Sequence, residues 1–119
     1  MSASSPVDPE ALQRLRRLGG DDLVRRMIEV FLEDAPKRLV AARRAVEMDD
    51  LDGARRASHS LKSAAGILGA RELQTAAERM EAWADASDVE QVRGMMHELE
   101  TMFTVARAEL EAQQRRVAE

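Results

Sequence analysis

Leu51-Asp-Gly-Ala-Arg-Arg-Ala-Ser-His59-Ser-Leu-Lys62-Ser-Ala-Ala-Gly66-Ile-Leu-Gly69 is the stretch whose spacing decides the fold. Leu51, Ala54, Ser58, Leu61, Ala65 and Leu68 recur in steps of three and four, the signature of one buried helix face. Gly69 follows as a natural C-terminal stop. His59 lies on the flank of that seam. Arg55 stands four residues before it, Lys62 three after and Ser63 four after, so all share one strip of the helix surface. One imidazole is thus set beside one cation, among side chains too small to cover either.

The same periodicity extends outward. Asp8-Pro9-Glu10 reads as an N-cap followed by proline at the first helical position, opening a short helix that ends at Gly19-Gly20. A second helix starts near Asp21 or Asp22, with Val24, Met27, Ile28, Phe31, Leu39, Ala42 and Val46 as its stripe. Pro36 falls inside it and is expected to kink or divide it, since proline cannot donate to the carbonyl of Leu32. Asp49-Asp50 breaks the pattern before the His59 helix. The next helix, about Arg71 to Asp85, presents Leu73, Ala76, Ala77, Met80, Trp83 and Ala84. Ser87-Asp-Val-Glu90 has the form of a capping box for the last helix, which carries Val89, Val92, Met96, Leu99, Phe103, Ala106 and Leu110. Short turns between amphipathic helices favour antiparallel neighbours. The expected fold is all-α, an antiparallel up-down four-helix bundle with a short additional N-terminal helix. Residues 8–112 form that domain, 1–7 a disordered N-terminus and 113–119 a frayed C-terminal end.

A tight hairpin near Gly69-Ala70 sets a register. Counting outward from it places His59 level with about Glu81, and Lys62 level with about Glu78. A carboxylate at Glu81 would accept a hydrogen bond from one imidazole nitrogen and leave the other as a nucleophile; on the sequence alone, a plain surface acid remains the alternative.

Composition narrows the function classes. With 18 basic and 22 acidic residues the net charge is −4 and the charges are interspersed, which speaks against a nucleic-acid binder. There is no cysteine, so disulfides, thiolate metal sites and thiol nucleophiles are excluded, and two histidines make a poor metal site. The N-terminus lacks a basic and an apolar targeting region, and no run is long enough to span a bilayer. A soluble, cytoplasmic, monomeric protein without membrane insertion is expected, too small to hold both a catalytic and an ATP-binding domain.

Phosphoryl chemistry suits the His59 strip. A neutral imidazole is a competent nucleophile at neutral pH, where hydroxyl side chains need an activating base. An ammonium at Lys62 can stabilise charge on phosphoryl oxygens. Small residues at Ser63 and Gly66 keep the surface low enough for a partner's active site to reach the ring. An interior helical glycine costs about 1 kcal/mol relative to alanine, so Gly66 serves either this access or close helix packing.

The run from His59 to Ala70, His-Ser-Leu-Lys-Ser-Ala-Ala-Gly-Ile-Leu-Gly-Ala, resembles the signature of histidine-containing phosphotransfer (HPt) domains. These carry a His-x-Leu-Lys-Gly core followed by small residues. The similarity extends over about residues 10–105 and includes Phe31-Leu-Glu-Asp-Ala-Pro36 and Leu73 through Glu81. The resemblance implies a phosphocarrier without autonomous kinase activity. His59 would accept a phosphoryl group from a receiver-domain aspartyl-phosphate and pass it to another receiver aspartate. Lys62 would stand by the phosphoryl group and Glu81 would orient the imidazole. The partners implied are receiver domains of a hybrid sensor kinase or response regulator, and no cofactor is implied on this chain, the divalent cation belonging to the receiver. Arg55, Ser63, Gly66, Ile67 and Ala70 are the expected docking residues. Ser63 departs from the family, which usually has glycine there, and partner preference or transfer rate is where this would show.

Two other readings compete. The phosphoacceptor domain of a sensor kinase usually has an acid directly after its histidine and a proline five residues on; here those positions are Ser60 and Ala64. A non-catalytic bundle that docks onto a receiver or kinase without carrying phosphate remains open, because sequence does not show turnover. His97, with no lysine three residues beyond it, reads as a surface histidine.

Overall fold

The computed structural model describes residues 5–118 and is helical throughout, with α1 at Pro9–Glu47, α2 at Leu51–Leu68, α3 at Arg71–Asp85 and α4 at Val89–Ala118. Each helix packs against the next in chain order, and α4 closes the ring against α1, leaving α2 and α4 on a diagonal. This is the expected up-down four-helix bundle. No helix among the described residues is long and apolar enough to cross a membrane.

Three helices end the same way. In each case a left-handed residue is followed by a pair of reversed backbone bonds onto the last turn, the Schellman arrangement. Gly69 (φ 73°) closes α2, with Ala70 N–H donating to the Ala65 carbonyl at 2.9 Å and Gly69 N–H to Gly66 at 3.3 Å. Asp49 (φ 56°) closes α1 through bonds to Ala45 and Val46, and Ser87 (φ 58°) closes α3 through bonds to Trp83 and Ala84. Ser87 is therefore the stop of α3 rather than the cap of α4. The cap is Asp88, whose carboxylate accepts the Gln91 N–H at 3.1 Å. The Asp50 carboxylate does the same for α2, accepting from Gly53 N–H at 2.9 Å.

The N-terminal helix expected to stop at Gly19-Gly20 does so: both glycines leave helical dihedrals and break α1 there (Gly20 φ 71°, ψ −168°). Pro36 does not divide α1, since only those two glycines depart from helical geometry. Buried Phe31, Ala35 and Ala42 on either side hold the helix continuous across the missing bond. Of the segment 1–7 expected to be disordered, 1–4 lie outside the described residues, while Val7 is only 2% exposed. Val7 and Leu12 occupy the two positions of a hydrophobic staple around the Asp8 cap, and both belong to the core. At the other end α4 runs on through 113–118.

The core is built from Ile28, Phe31, Leu61, Leu68, Leu73, Met80, Leu99 and Leu110, with alanines on every helix allowing close approach. Phe31 and Phe103 stack across α1 and α4 with centroids 6.0 Å apart. The one buried polar side chain among the described residues, Ser58, donates to the Ala54 carbonyl at 2.7 Å and so leaves no unmet group in the seam.

Candidate functional site

Burial of Ser58 and Leu61 fixes the rotation of α2, and this turns His59 outward and Lys62 toward α3. The His59 side chain is 59% exposed, yet its Nδ1 lies 2.8 Å from Oε2 of Glu81 on α3. The other oxygen of the same carboxylate, Oε1, accepts a hydrogen bond from Lys62 Nζ at 2.7 Å. Glu81 is thus a bridge between the imidazole and the ammonium, and it is itself only 15% exposed. Because a carboxylate accepts and does not donate when ionised, Nδ1 carries a proton, and in the neutral ring the lone pair is then on Nε2.

The electrostatics keep Glu81 ionised. Its hydrogen bond to Lys62 is the largest influence and holds the carboxyl below its ordinary value, helped by the bond to His59 and opposed by desolvation. Lys62 is raised in return, chiefly by its hydrogen bond to Glu81. The register count sets Lys62 level with Glu78, yet its hydrogen bond goes to Glu81. Glu78 is exposed and acts on Lys62 only at a distance. A half-buried carboxylate offers a cation a stronger interaction than one fully solvated, and the flexible lysine stem reaches it.

The remaining expected residues divide. Ser63 and Ile67 line a groove of about 380 Å³ between α1 and α2, which also contains His59 and is walled on the α1 side by Val30, Phe31 and Arg38. Ile67 is 53% exposed there. Ala70 is fully buried and cannot meet a partner, because the N-terminal segment folds over the α2–α3 turn: Asp8 N–H donates to the Gly69 carbonyl at 2.9 Å, and Arg71 donates to the Asp8 carboxylate at 2.6 Å. Gly66 faces α3, where an added Cβ would stand 3.0 Å from the Gln74 amide, the flexible end of that side chain. Arg55 is engaged by Asp52 at 2.8 Å and Asp85 at 3.8 Å rather than offered to the ring. His97 is exposed on α4, the helix diagonal to α2.

Sequence reasoning missed the α1 wall of the groove. Its signal was present: Val30 sits beside the Met27–Phe31 stripe as an apolar residue off the core face, and Arg38 follows two turns later on the same side.

A model of the family described as Hpt domain matches residues 26–109. Among solved structures, the chain is similar to histidine-containing phosphotransfer protein B (HptB) from Pseudomonas aeruginosa PAO1. The TM-score is 0.88 at 20% sequence identity, covering 96% of this chain and 98% of that one. No curated protein sequence matches significantly. With the family model spanning most of the bundle, including His59, Lys62 and Glu81, this chain belongs to the Hpt domain family.

Proposed function

We propose that His59 is the phosphoacceptor of a phosphorelay carrier, exchanging a phosphoryl group with the aspartates of receiver domains. Family membership supports the histidine phosphotransfer role in general terms. The observation that carries the residue assignment is the Nδ1–Glu81 hydrogen bond beneath an imidazole otherwise open to solvent.

The chemistry then follows. The Nε2 lone pair attacks phosphorus of a receiver's aspartyl-phosphate in line; the N–P bond forms as the acyl P–O bond breaks, and the aspartate leaves with the electron pair. The ring gains positive charge, which the Glu81 carboxylate faces from the Nδ1 side. No proton has to leave the chain. Lys62 keeps two further N–H donors beyond the one given to Glu81, and these serve the phosphoryl oxygens. In the return step a second receiver carboxylate attacks phosphorus and the N–P electron pair goes back to Nε2. The divalent cation used in receiver chemistry belongs in this reading to the partner, as does the phosphodonor; this chain is a carrier and not a kinase.

The test is incubation with a panel of phosphorylated receiver domains followed by intact mass measurement, beside His59→Gln and His97→Gln. Gain of one acid-labile phosphoryl group, lost in His59→Gln and kept in His97→Gln, is expected. A folded protein that binds receivers and gains nothing from any of them would contradict the proposal and leave a docking module.

A further inference from the structure

The groove beside His59 continues past Ser60. It runs between α1 and α2 toward their turn as a second hollow, sharing Arg38 and Ser60 with the first and reaching Arg44, Met48 and Arg56. From Gly53 to Ile67, α2 walls this trough over roughly 20 Å at the helical rise of 1.5 Å per residue. Its two ends differ in chemistry. The His59 end carries exposed Val30 and Ile67, whereas the far end is cationic.

Among the described residues, Arg38 and Arg44 are exposed and have no carboxylate at ion-pair distance. Of the acids around the far hollow, two are engaged elsewhere, while Asp34 lies toward the His59 end. The Asp50 carboxylate accepts the Gly53 N–H, and Asp52 is taken by Arg55 and Arg56. An unpaired basic strip therefore stands on a chain whose net charge is −4, against the sign of the whole molecule.

We propose that this arginine end is the specificity-determining arm of the docking surface, selecting those phosphoryl-exchange partners whose receiver domain carries an acidic patch beside its reactive aspartate. The proposal rests on the His59 reading and adds a partner chemistry to it. Continuity with the His59 groove favours a protein partner that must also cover the ring, and the acidic remainder of the chain repels a nucleic-acid backbone. Exposed guanidiniums act at range: they speed encounter with a partner of opposite charge and disfavour one that is basic at this position.

The experiment is phosphotransfer kinetics of the full chain with the same receiver panel, comparing wild type, Arg38→Glu/Arg44→Glu and His59→Gln, each first shown to be folded by circular dichroism. With receivers bearing an acidic patch, the double variant is expected to transfer about tenfold or more slowly at low salt. The gap should close near 1 M salt, where screening acts over about 3 Å, and the preference among receivers should compress. Equal rates for wild type and double variant with every receiver would overturn the proposal, as would a charge-dependent loss seen only in self-association or in binding to a DNA duplex. Transfer retained by His59→Gln would instead overturn the His59 reading, so the two failures are distinguishable.

Discussion

Replacing Glu81 isolates what the carboxylate bridge does for His59. In Glu81→Ala the ring loses its Nδ1 partner and Lys62 loses the anion that holds it beside the site. A hydrogen bond to a charged group contributes about 1.5–3 kcal/mol. With the imidazole more than half exposed, the lower end applies, and about 1.4 kcal/mol corresponds to about tenfold in rate. Since the ring gains positive charge as phosphorus is attacked, this loss falls on the transition state and appears in the transfer rate. Glu81→Gln keeps an acceptor for Nδ1–H but not the charge, and belongs between the two. The expected order of phosphoryl uptake is wild type, then Glu81→Gln, then Glu81→Ala at about one tenth of wild type. Rapid-quench transfer from one phosphorylated receiver measures it, with thermal melts confirming that all three are folded. Uptake by Glu81→Ala at the wild-type rate would refute the orienting role.

Three further outcomes follow from the same geometry. Leu61 is fully buried next to the His59 strip, so Leu61→Ala should destabilise the bundle by about 2–5 kcal/mol in urea unfolding; a loss below 1 kcal/mol would contradict the packing described. Gly69→Ala places a Cβ 2.6 Å from that of Ala11 at φ 73°, and a loss of at least about 1–2 kcal/mol is expected from the backbone alone. An unchanged melting temperature would contradict the turn geometry. The Glu81 carboxyl is held below its ordinary 4.5, so its contribution is complete above that pH and is lost as pH falls through the lower folded value; Lys62, raised above 10.5, loses its contribution only as pH rises beyond that. Carboxyl carbon shifts should therefore titrate below 4.5 in wild type and move upward in Lys62→Ala, and a midpoint at or above 4.5 in wild type would contradict the pairing.

Much of this arrangement was legible in the sequence because straight antiparallel helices preserve register. The Leu51–Leu68 seam fixed which way His59 faces, and counting from Gly69 brought Glu81 beside it. Register gives level, however, and not desolvation: the count sets Lys62 level with solvated Glu78, while its ammonium bonds to half-buried Glu81. Ala70 was misplaced for a different reason. Its burial depends on Val7 and Asp8 folding over the α2–α3 turn, a contact between residues some sixty positions apart that no local pattern contains. Ser87-Asp88 met two signals at once, and the Schellman stop of α3 took the serine while the aspartate became the cap of α4. Pro36 shows tertiary packing overriding a local breaker. The basic end of the trough was hidden because Arg38 and Arg44 read, along α1 alone, as ordinary solvated charge, and only the packing of α2 beside them makes a trough.

The most direct test of the central claim is a nitrogen–phosphorus correlation spectrum of the protein with ¹⁵N-labelled imidazoles, recorded after phosphoryl transfer from a receiver. The account predicts phosphorus coupled to Nε2 of His59, with the Nδ1 proton still present and hydrogen-bonded to Glu81. Phosphorus on Nδ1, on His97 or on no imidazole at all would contradict it.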